Sequence, residues 1–237
     1  SGQVTIAGAV TSGSAITLGG TNVTWFAPIN AASLTVTTFG GSISAIGSVM
    51  SLGTISFSSS AHINTSSTVS SSGLLSLVAD SDCSGTGSLV TGAYSIISSS
   101  AGNIAITARQ LEIQGTINAP TGSVTFSTCS AVAITLGGIS GTQSTLEIVN
   151  AILSNSLVCQ LLIVEGSQIL IESTNSDQAV ELNARISSGT ISFLATSSFS
   201  SLNATSCSGI TINAPVTTTV GLLSFDSDYD TVGGGQT

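Results

Sequence analysis

Short runs in which apolar and polar residues alternate recur along the whole chain, and Gly, Asn, Ser or Pro follows each within a few residues. They include Val4-Thr5-Ile6, Leu34-Thr35-Val36-Thr37, Thr54-Ile55-Ser56-Phe57, Ile104-Ala105-Ile106, Leu111-Glu112-Ile113, Val124-Thr125-Phe126, Ile169-Leu170-Ile171-Glu172, Ile191-Ser192-Phe193 and Ile210-Thr211-Ile212. Alternation with period two sends one set of side chains to a core and the other to solvent, which is strand geometry. The strong exposed-helix formers Lys, Glu, Gln, Met and Arg are nearly absent, while Ser and Thr make up roughly a third of the residues, so little material exists for helices. The fold class is all-β. Many short strands on a regular spacing leave a sandwich, a closed barrel or a solenoid, and internal repetition decides among them.

The clearest unit starts at Gly102-Asn103-Ile104-Ala105-Ile106-Thr107-Ala108, continues through Leu111-Glu112-Ile113-Gln114-Gly115-Thr116-Ile117-Asn118-Ala119-Pro120, and restarts at Gly122-Ser123-Val124-Thr125-Phe126. A restart after about 20 residues is the length of one solenoid rung. Four landmarks also recur in order. Gly2-Gln3-Val4-Thr5 returns at Gly122, Ile16-Thr17-Leu18-Gly19-Gly20 at Ile134, Gly53-Thr54-Ile55-Ser56-Phe57 at Gly189, and Gly73-Leu74-Leu75-Ser76 with Asp80-Ser81-Asp82 at Gly221 with Asp226-Ser227-Asp228. They indicate an internal duplication within a single domain spanning 1–237: one copy over 1–88, connecting rungs over 89–121 and a second copy over 122–237. One match, Thr116-Ile117-Asn118-Ala119-Pro120 with Thr211-Ile212-Asn213-Ala214-Pro215, cuts across that register. The expected architecture is a parallel β-helix of about 11 to 12 rungs, and the chain opening in mid-pattern suggests a segment of a longer repetitive protein.

Charge restricts what such a rod can do. Lys and Arg total 2 and Asp and Glu 11, giving a formal net charge of -9, with 5% of residues charged. Two cations, Arg109 and Arg185, cannot neutralise a run of phosphates, which excludes charge-driven nucleic-acid binding and attraction to an anionic membrane surface. The sequence also holds no apolar stretch of about 18 residues that would span a bilayer as a helix. In a parallel β-helix equivalent side chains stack about 4.8 Å apart, so a charge repeated in every rung would meet its like, whereas Ser, Thr and Val stack freely.

The rhythm of Gly-Asn-Ile-Ala-Ile-Thr-Ala, Gly-Thr-Ile-Asn-Ala, Gly-Ser-Val-Thr-Phe and Ala-Ile-Thr-Leu-Gly-Gly, followed by Ser144-Thr145-Leu146-Glu147-Ile148, resembles the repeat regions of filamentous-haemagglutinin-like proteins and related giant extracellular surface proteins. The resemblance covers most of 100–237 and, less regularly, 1–88. It implies a right-handed parallel β-helix in a secreted fibre or adhesin. The four Cys and the Ser-rich stretch 41–73, which reads as irregular, depart from the cleanest repeats, so a eukaryotic surface protein of the same architecture stays open.

Candidate sites are few. Asp80, Asp82 and Ser84 before Gly85, and Asp226, Asp228 and Asp230, have the alternate oxygen spacing with which calcium loops begin, yet neither run continues to a Glu at the twelfth position. Calcium ligation and solvated turns are the two readings, and no other cofactor is indicated. Cys83, Cys129, Cys159 and Cys207 lack any C-x-x-C pair, which argues against zinc and leaves disulfides between rungs or small buried thiols. Asn22, Asn64 and Asn203 head glycosylation sequons. Glu165, Glu172 and Glu181 with Arg185 are the only carboxylate grouping that a polysaccharide-cleaving β-helix could use, and His62 has no acid near it in sequence. Thr-x-Thr, which an ice-ordering face would need in nearly every rung, occurs only at Thr35-Val36-Thr37 and Thr217-Thr218-Thr219.

The expectation is a non-catalytic segment of an extracellular fibre or filament at the cell surface, stacked end to end on identical or sequence-related copies, with neither nucleic-acid partner nor membrane insertion. The alternative is the stalk of a cell-surface adhesin that presents a binding domain elsewhere. Ice binding and polysaccharide cleavage are the minor alternatives.

Overall fold

The computed structural model describes residues 2–129, 132–138, 146–185 and 188–228. The chain winds as a β-solenoid of about 11 turns in which every strand pairing is parallel. Each turn contributes to three faces. In the first six turns the first face is built by Val4–Ile6, Val23–Trp25, Ile43–Ala45, His62–Thr65, Ser88–Thr91 and Gln110–Ile113, in that spatial order. The second begins with Val10–Thr11, Ile29–Ala31, Val49–Ser51, Val69–Ser71 and Ile96–Ser99. The third begins with Ala15–Gly20, Ser33–Thr38, Ile55–Ser59, Leu75–Ala79 and Ile104–Thr107. The stretch 41–73, read from sequence as irregular, makes some of the most regular turns, because its many Ser residues occupy outward and corner positions while Ile43, Val49, Ile55, Ile63 and Val69 keep the inward phase.

The alternation becomes axial columns. On the third face Leu34, Ile55, Leu75, Ile104, Val124, Leu162, Val180 and Leu202 stack in register and are all buried, beside Val36, Phe57, Leu77, Ile106, Phe126, Val164, Leu182 and Ala204. Trp25 fills the first face, with its ring edge-on to Phe57 at 5.4 Å between centroids and its indole N–H donating to the Gly47 carbonyl at 3.0 Å. A large buried indole is tolerated because its one donor is satisfied.

Corners explain the serine. At the turns between faces the backbone carbonyls leave the ladder, and inward hydroxyls collect them. Ser51 Oγ donates to Ala32 O at 3.0 Å, Ser71 Oγ to Gly53 O at 2.5 Å, and Ser99 Oγ to Gly73 O at 2.6 Å, one rung after another. Ser59 Oγ to Gly41 O at 2.7 Å and Ser206 Oγ to Gly189 O at 2.7 Å repeat the device elsewhere. A small side chain that carries its own donor satisfies carbonyls that would otherwise be buried without a partner. The same corner needs glycine. A Cβ on Gly53 would come within 2.6 Å of Ala32 O, on Gly102 within 2.4 Å of the Gly73 carbonyl carbon, and on Gly122 within 2.3 Å of Gly102 O. The Gly-x-apolar openings at 53, 73, 102 and 122 are thus one axial position in consecutive turns.

The longer duplication is not a face-for-face repeat. Val4 lies on the first face but its match Val124 on the third; Ile16 lies on the third but Ile134 on the continuation of the first; Ile55 lies on the third but Ile191 on the continuation of the first. Only Leu75 and Leu223 share a face. The landmarks recur because any face accepts the same inward-outward strand, so shared sequence does not fix shared position.

The described residues between 128 and 157 depart from the regular winding. Strand Ile134–Leu136 pairs with Leu146–Ile148 on one side and Gln168–Ile171 on the other, so a later strand sits below an earlier one. This separate sheet of 5 strands, completed by Thr190–Phe193 and Ile210–Ile212, continues the first face beyond the 6-stranded sheet. On the second face a π-helical turn, Ile152–Ser156, intervenes with Ile152 and Leu153 buried. The third face runs on unbroken, from Thr116–Ser127 through Leu157–Glu165, Thr174–Ala184 and Ser197–Ser206 to Leu223–Asp226. One extra strand on one face is matched by a helical turn on the next, while the third face sets the pitch.

Candidate functional site

The two ends of the rod differ from its middle. In the second turn Val23, Trp25, Ile29, Leu34 and Val36 are buried, whereas their partners in the first turn, Val4, Ile6, Val10, Ile16 and Leu18, are only half-buried. At the other end Ile191, Phe193, Phe199 and Leu202 are buried, while Ile212 is 49% exposed and Leu223 and Phe225 are each 37% exposed. Phe225 lies edge-on to Phe193 at 5.6 Å and ends the core column among the described residues. Among the described residues each end also presents a sheet edge. Val4 N–H donates inward along the axis to Asn22 O at 2.8 Å, and Val10 N–H to Pro28 O at 3.0 Å, so the alternate residues Thr5 and Thr11 turn their peptide groups outward along the axis. Edges of this kind pair with further strands.

The outer surface carries no Asp, Glu, Lys or Arg over the first four turns, up to Ala79. Thr17, Thr35, Ser56, Ser76, Ala105 and Thr125 form one outward column of the third face; Gly19, Thr37, Ser58, Val78, Thr107 and Ser127 form the next. Residues 1–79 contain no Asp, Glu, Lys or Arg. Where acids enter the ladders they stand opposite neutral residues: Glu112 opposite Val90, Glu147 opposite Thr135, Glu165 opposite Ser127 and Asn183, Glu181 opposite Ile163 and Asn203, and Asp226 opposite Thr205. Among the described residues no acid faces another acid across a ladder, the arrangement that like-charge repulsion at strand spacing demands.

The acidic landmarks are turn elements. Asp80 is 1% exposed, with a φ of 89°, and its carboxylate accepts from Gly85 N at 2.9 Å and Ser84 Oγ at 3.1 Å; Asp82 Oδ1 accepts from Ser84 N at 3.2 Å. Asp226 Oδ1 accepts from Asp228 N at 3.3 Å, both residues being exposed, and Asp230 lies outside the described residues. Among the described residues no three His, Cys, Asp or Glu side chains converge as a metal site would require.

Cys83, in the loop that Asp80 caps, is disulfide-bonded to Cys129, 46 residues on, and ties the fourth turn to the chain where it leaves the sixth. Cys159 and Cys207 stay outside the disulfide. Burial pushes the Cys159 thiol up to about 11, partly offset by a backbone hydrogen bond from Val124. Of the sequons, Asn203 is exposed on the third face, Asn64 half-buried on the first, and Asn22 accepts at Oδ1 from Ser42 N at 2.8 Å. Glu165 and Glu181 stand on adjacent strands of the third face, Glu181 pairing with Arg185 at 3.4 Å, but Glu172 lies at a distant corner with Gly138 and Asn150. His62 Nδ1 meets Ser88 Oγ at 2.7 Å on the exposed surface. Thr35 and Thr37 share the third face, whereas Thr217 is outward on the second.

Two concavities escaped the sequence reading. One runs along the corner between the second and third faces, lined by Asn30, Ala32, Met50, Leu52, Ser70 and Ser72, with a volume near 500 Å³. The other, near 370 Å³, opens where the first face is interrupted, between Leu111-Glu112-Ile113 and Glu147-Val149, with Asn155 beside it. Both depend on how turns stack, and no local sequence signal marks them. No protein-family model, curated protein or solved structure matches the chain.

Proposed function

We propose that the chain is a non-catalytic structural segment of an extracellular fibre, assembled by axial stacking of β-helix ends. The observation that carries this reading is the solenoid itself, a continuous apolar column whose residues in the first and last described turns are less buried than those between them. An exposed apolar patch next to free backbone donors and acceptors is satisfied by one further turn of the same geometry. The neutral outer columns support a scaffold role, since the sides of the rod carry no Asp, Glu, Lys or Arg over residues 1–79. The Cys83–Cys129 disulfide supports an oxidising, extracellular setting, and the resemblance to filamentous surface proteins points the same way.

Electron microscopy together with sedimentation velocity over a range of concentrations tests the proposal. Rods in multiples of the unit length of about 50 Å, with a weight-average mass that rises with concentration, are expected. A single 23.3 kDa species at every concentration overturns axial stacking and leaves the stalk of an adhesin as the better reading.

A further inference from the structure

Charge and apolar exposure set one face of the rod apart. Over the first six turns the second face and its two corners are formed by 7–14, 26–33, 46–54, 66–74, 92–103 and 114–123, which contain no Asp, Glu, Lys, Arg or His. Asp80, Asp82, Arg109 and Glu112 lie on the first face or where it borders the third. Of the eight large apolar side chains exposed between residues 2 and 122, six, Phe26, Ile46, Met50, Leu52, Tyr94 and Ile96, stand on the second face or its corners. An uncharged strip dotted with exposed apolar groups marks an interaction surface.

We propose that this strip binds the same strip of a second copy of the chain, the two rods lying side by side and antiparallel about a two-fold axis between the third and fourth turns. Such pairing uses the sides of the rod and is independent of axial stacking.

Charge selects a copy as the partner. Each chain carries a net -9, so two copies approach most readily where neither presents an acid. The second face meets this together with both its corners over six turns, whereas Asp80 and Arg109 border the other two faces. Charge also fixes the polarity. The first acids at the second face are Glu172 and Asp177, in a later turn. Parallel rods would set them against those of the partner, while antiparallel rods carry them beyond the contact.

Shape agrees. Leu52 is 86% exposed and projects beside the recess near 500 Å³ that Met50, Ser70 and Ser72 also line. With the axis between the third and fourth turns, Met50 meets the partner's Ser70 and Leu52 the partner's Ser72, so each large side chain enters the space left by a small one. Phe26 then meets the partner's Tyr94. A projection and a recess on one patch make it self-complementary, as an isologous contact requires. Six turns at about 4.8 Å, with a face about 20 Å wide, bury about 1,100 Å² in total over the two copies. That clears the size of a specific contact and stays below that of an obligate dimer, so the pair is reversible.

Electron microscopy of the full chain over a range of concentrations tests the pairing. Particles of doubled width are expected, whatever their length. Particles of single width at every concentration overturn it, and if these still lengthen, axial stacking remains in place. Met50→Glu, outward and 58% exposed, sets the new carboxylates of the two copies about one turn apart inside the contact and should cut the doubled-width fraction by about tenfold with Tm unchanged. Thr35→Glu, outward on the third face, should leave that fraction as it was. An unaltered fraction in Met50→Glu, or equal loss in both variants, overturns the assignment to the second face. Asn30→Cys and Ser98→Cys, both outward on the second face, read the polarity. Facing sheets lie about 10 Å apart, so a short bifunctional maleimide should link the mixed variants about fivefold more than either alone. The parent chain, treated identically, gives the background from Cys159 and Cys207. Asn30→Cys linked to itself as readily as to Ser98→Cys means parallel rods and overturns the antiparallel arrangement.

Discussion

Like-charge repulsion along the outer columns, the physical reason offered for so few charges, is testable at Ser56 and Ser76. These residues are ladder partners on the unbroken third face, both outward and remote from either end. Replacing both with Glu places two carboxylates on Cβ atoms about 4.8 Å apart. Two unit charges at that distance repel by about 0.9 kcal/mol in bulk water and about 3.5 kcal/mol at an effective dielectric near 20. Side chains on a surface splay into solvent, so a net coupling of about 0.5 to 1 kcal/mol is expected. A double-mutant cycle isolates it: Ser56→Glu, Ser76→Glu and the pair, beside a matching cycle with Ser76→Lys, each followed by urea denaturation. The Glu–Glu coupling should be destabilising, the Glu–Lys coupling stabilising by a few tenths of a kcal/mol, and both should shrink by more than half at 1 M salt, where the screening length falls to about 3 Å. Couplings of the same sign in the two cycles, or insensitivity to salt, would refute the repulsion argument and leave the low charge without this cause.

Other outcomes follow from particular contacts. Cys83→Ser with Cys129→Ser releases a loop of 46 residues and should cost up to about 4 kcal/mol by the chain-entropy relation, read as a lower denaturation midpoint, with intact mass under non-reducing conditions reporting the bond in the parent. Ser59→Ala should cost about 1 kcal/mol, because the Gly41 carbonyl loses its 2.7 Å donor but keeps Thr38 Oγ1 at 3.0 Å, while Ala61 N–H loses its acceptor; a change below about 0.5 kcal/mol would show that the Ser59 hydroxyl adds nothing to that corner. The Cys159 thiol sits at about 11 against 9.0 for the ordinary group. A raised value favours the folded state below pH 9 and loses that contribution as pH rises from 9 to 11, by roughly 1 kcal/mol once partial solvent access is allowed for. The chain has no Lys to titrate in that range, so Cys159→Ala should flatten the stability profile between those values.

Much of the fold was legible in the sequence. Period-two runs at 34–37, 54–57, 104–106, 124–126 and 191–193 all became strands with the inward residues foreseen, because inside and outside on a strand are a local property of alternation. Turn length was legible for the same reason: Gly102 and Gly122 mark one corner in successive turns, and a corner too tight for Cβ writes glycine into each of them. The candidate site was less visible. Nothing in Val4-Thr5-Ile6 or Leu222-Leu223-Ser224 distinguishes an end turn from an interior one, since an open edge is defined by the absence of a stacked neighbour.

The sequence by itself determined an all-β solenoid of about 20 residues per turn with few charged residues, because side-chain alternation and corner packing act over a few residues. Tertiary structure decided the rest. It placed Ile134–Leu136 out of order between Leu146–Ile148 and Gln168–Ile171, assigned the repeated landmarks to different faces, turned the Asp80 carboxylate onto its own loop and brought Cys83 to Cys129. Each of these is a pairing between segments distant in sequence, chosen by which edge or space remained unfilled once the regular turns had stacked.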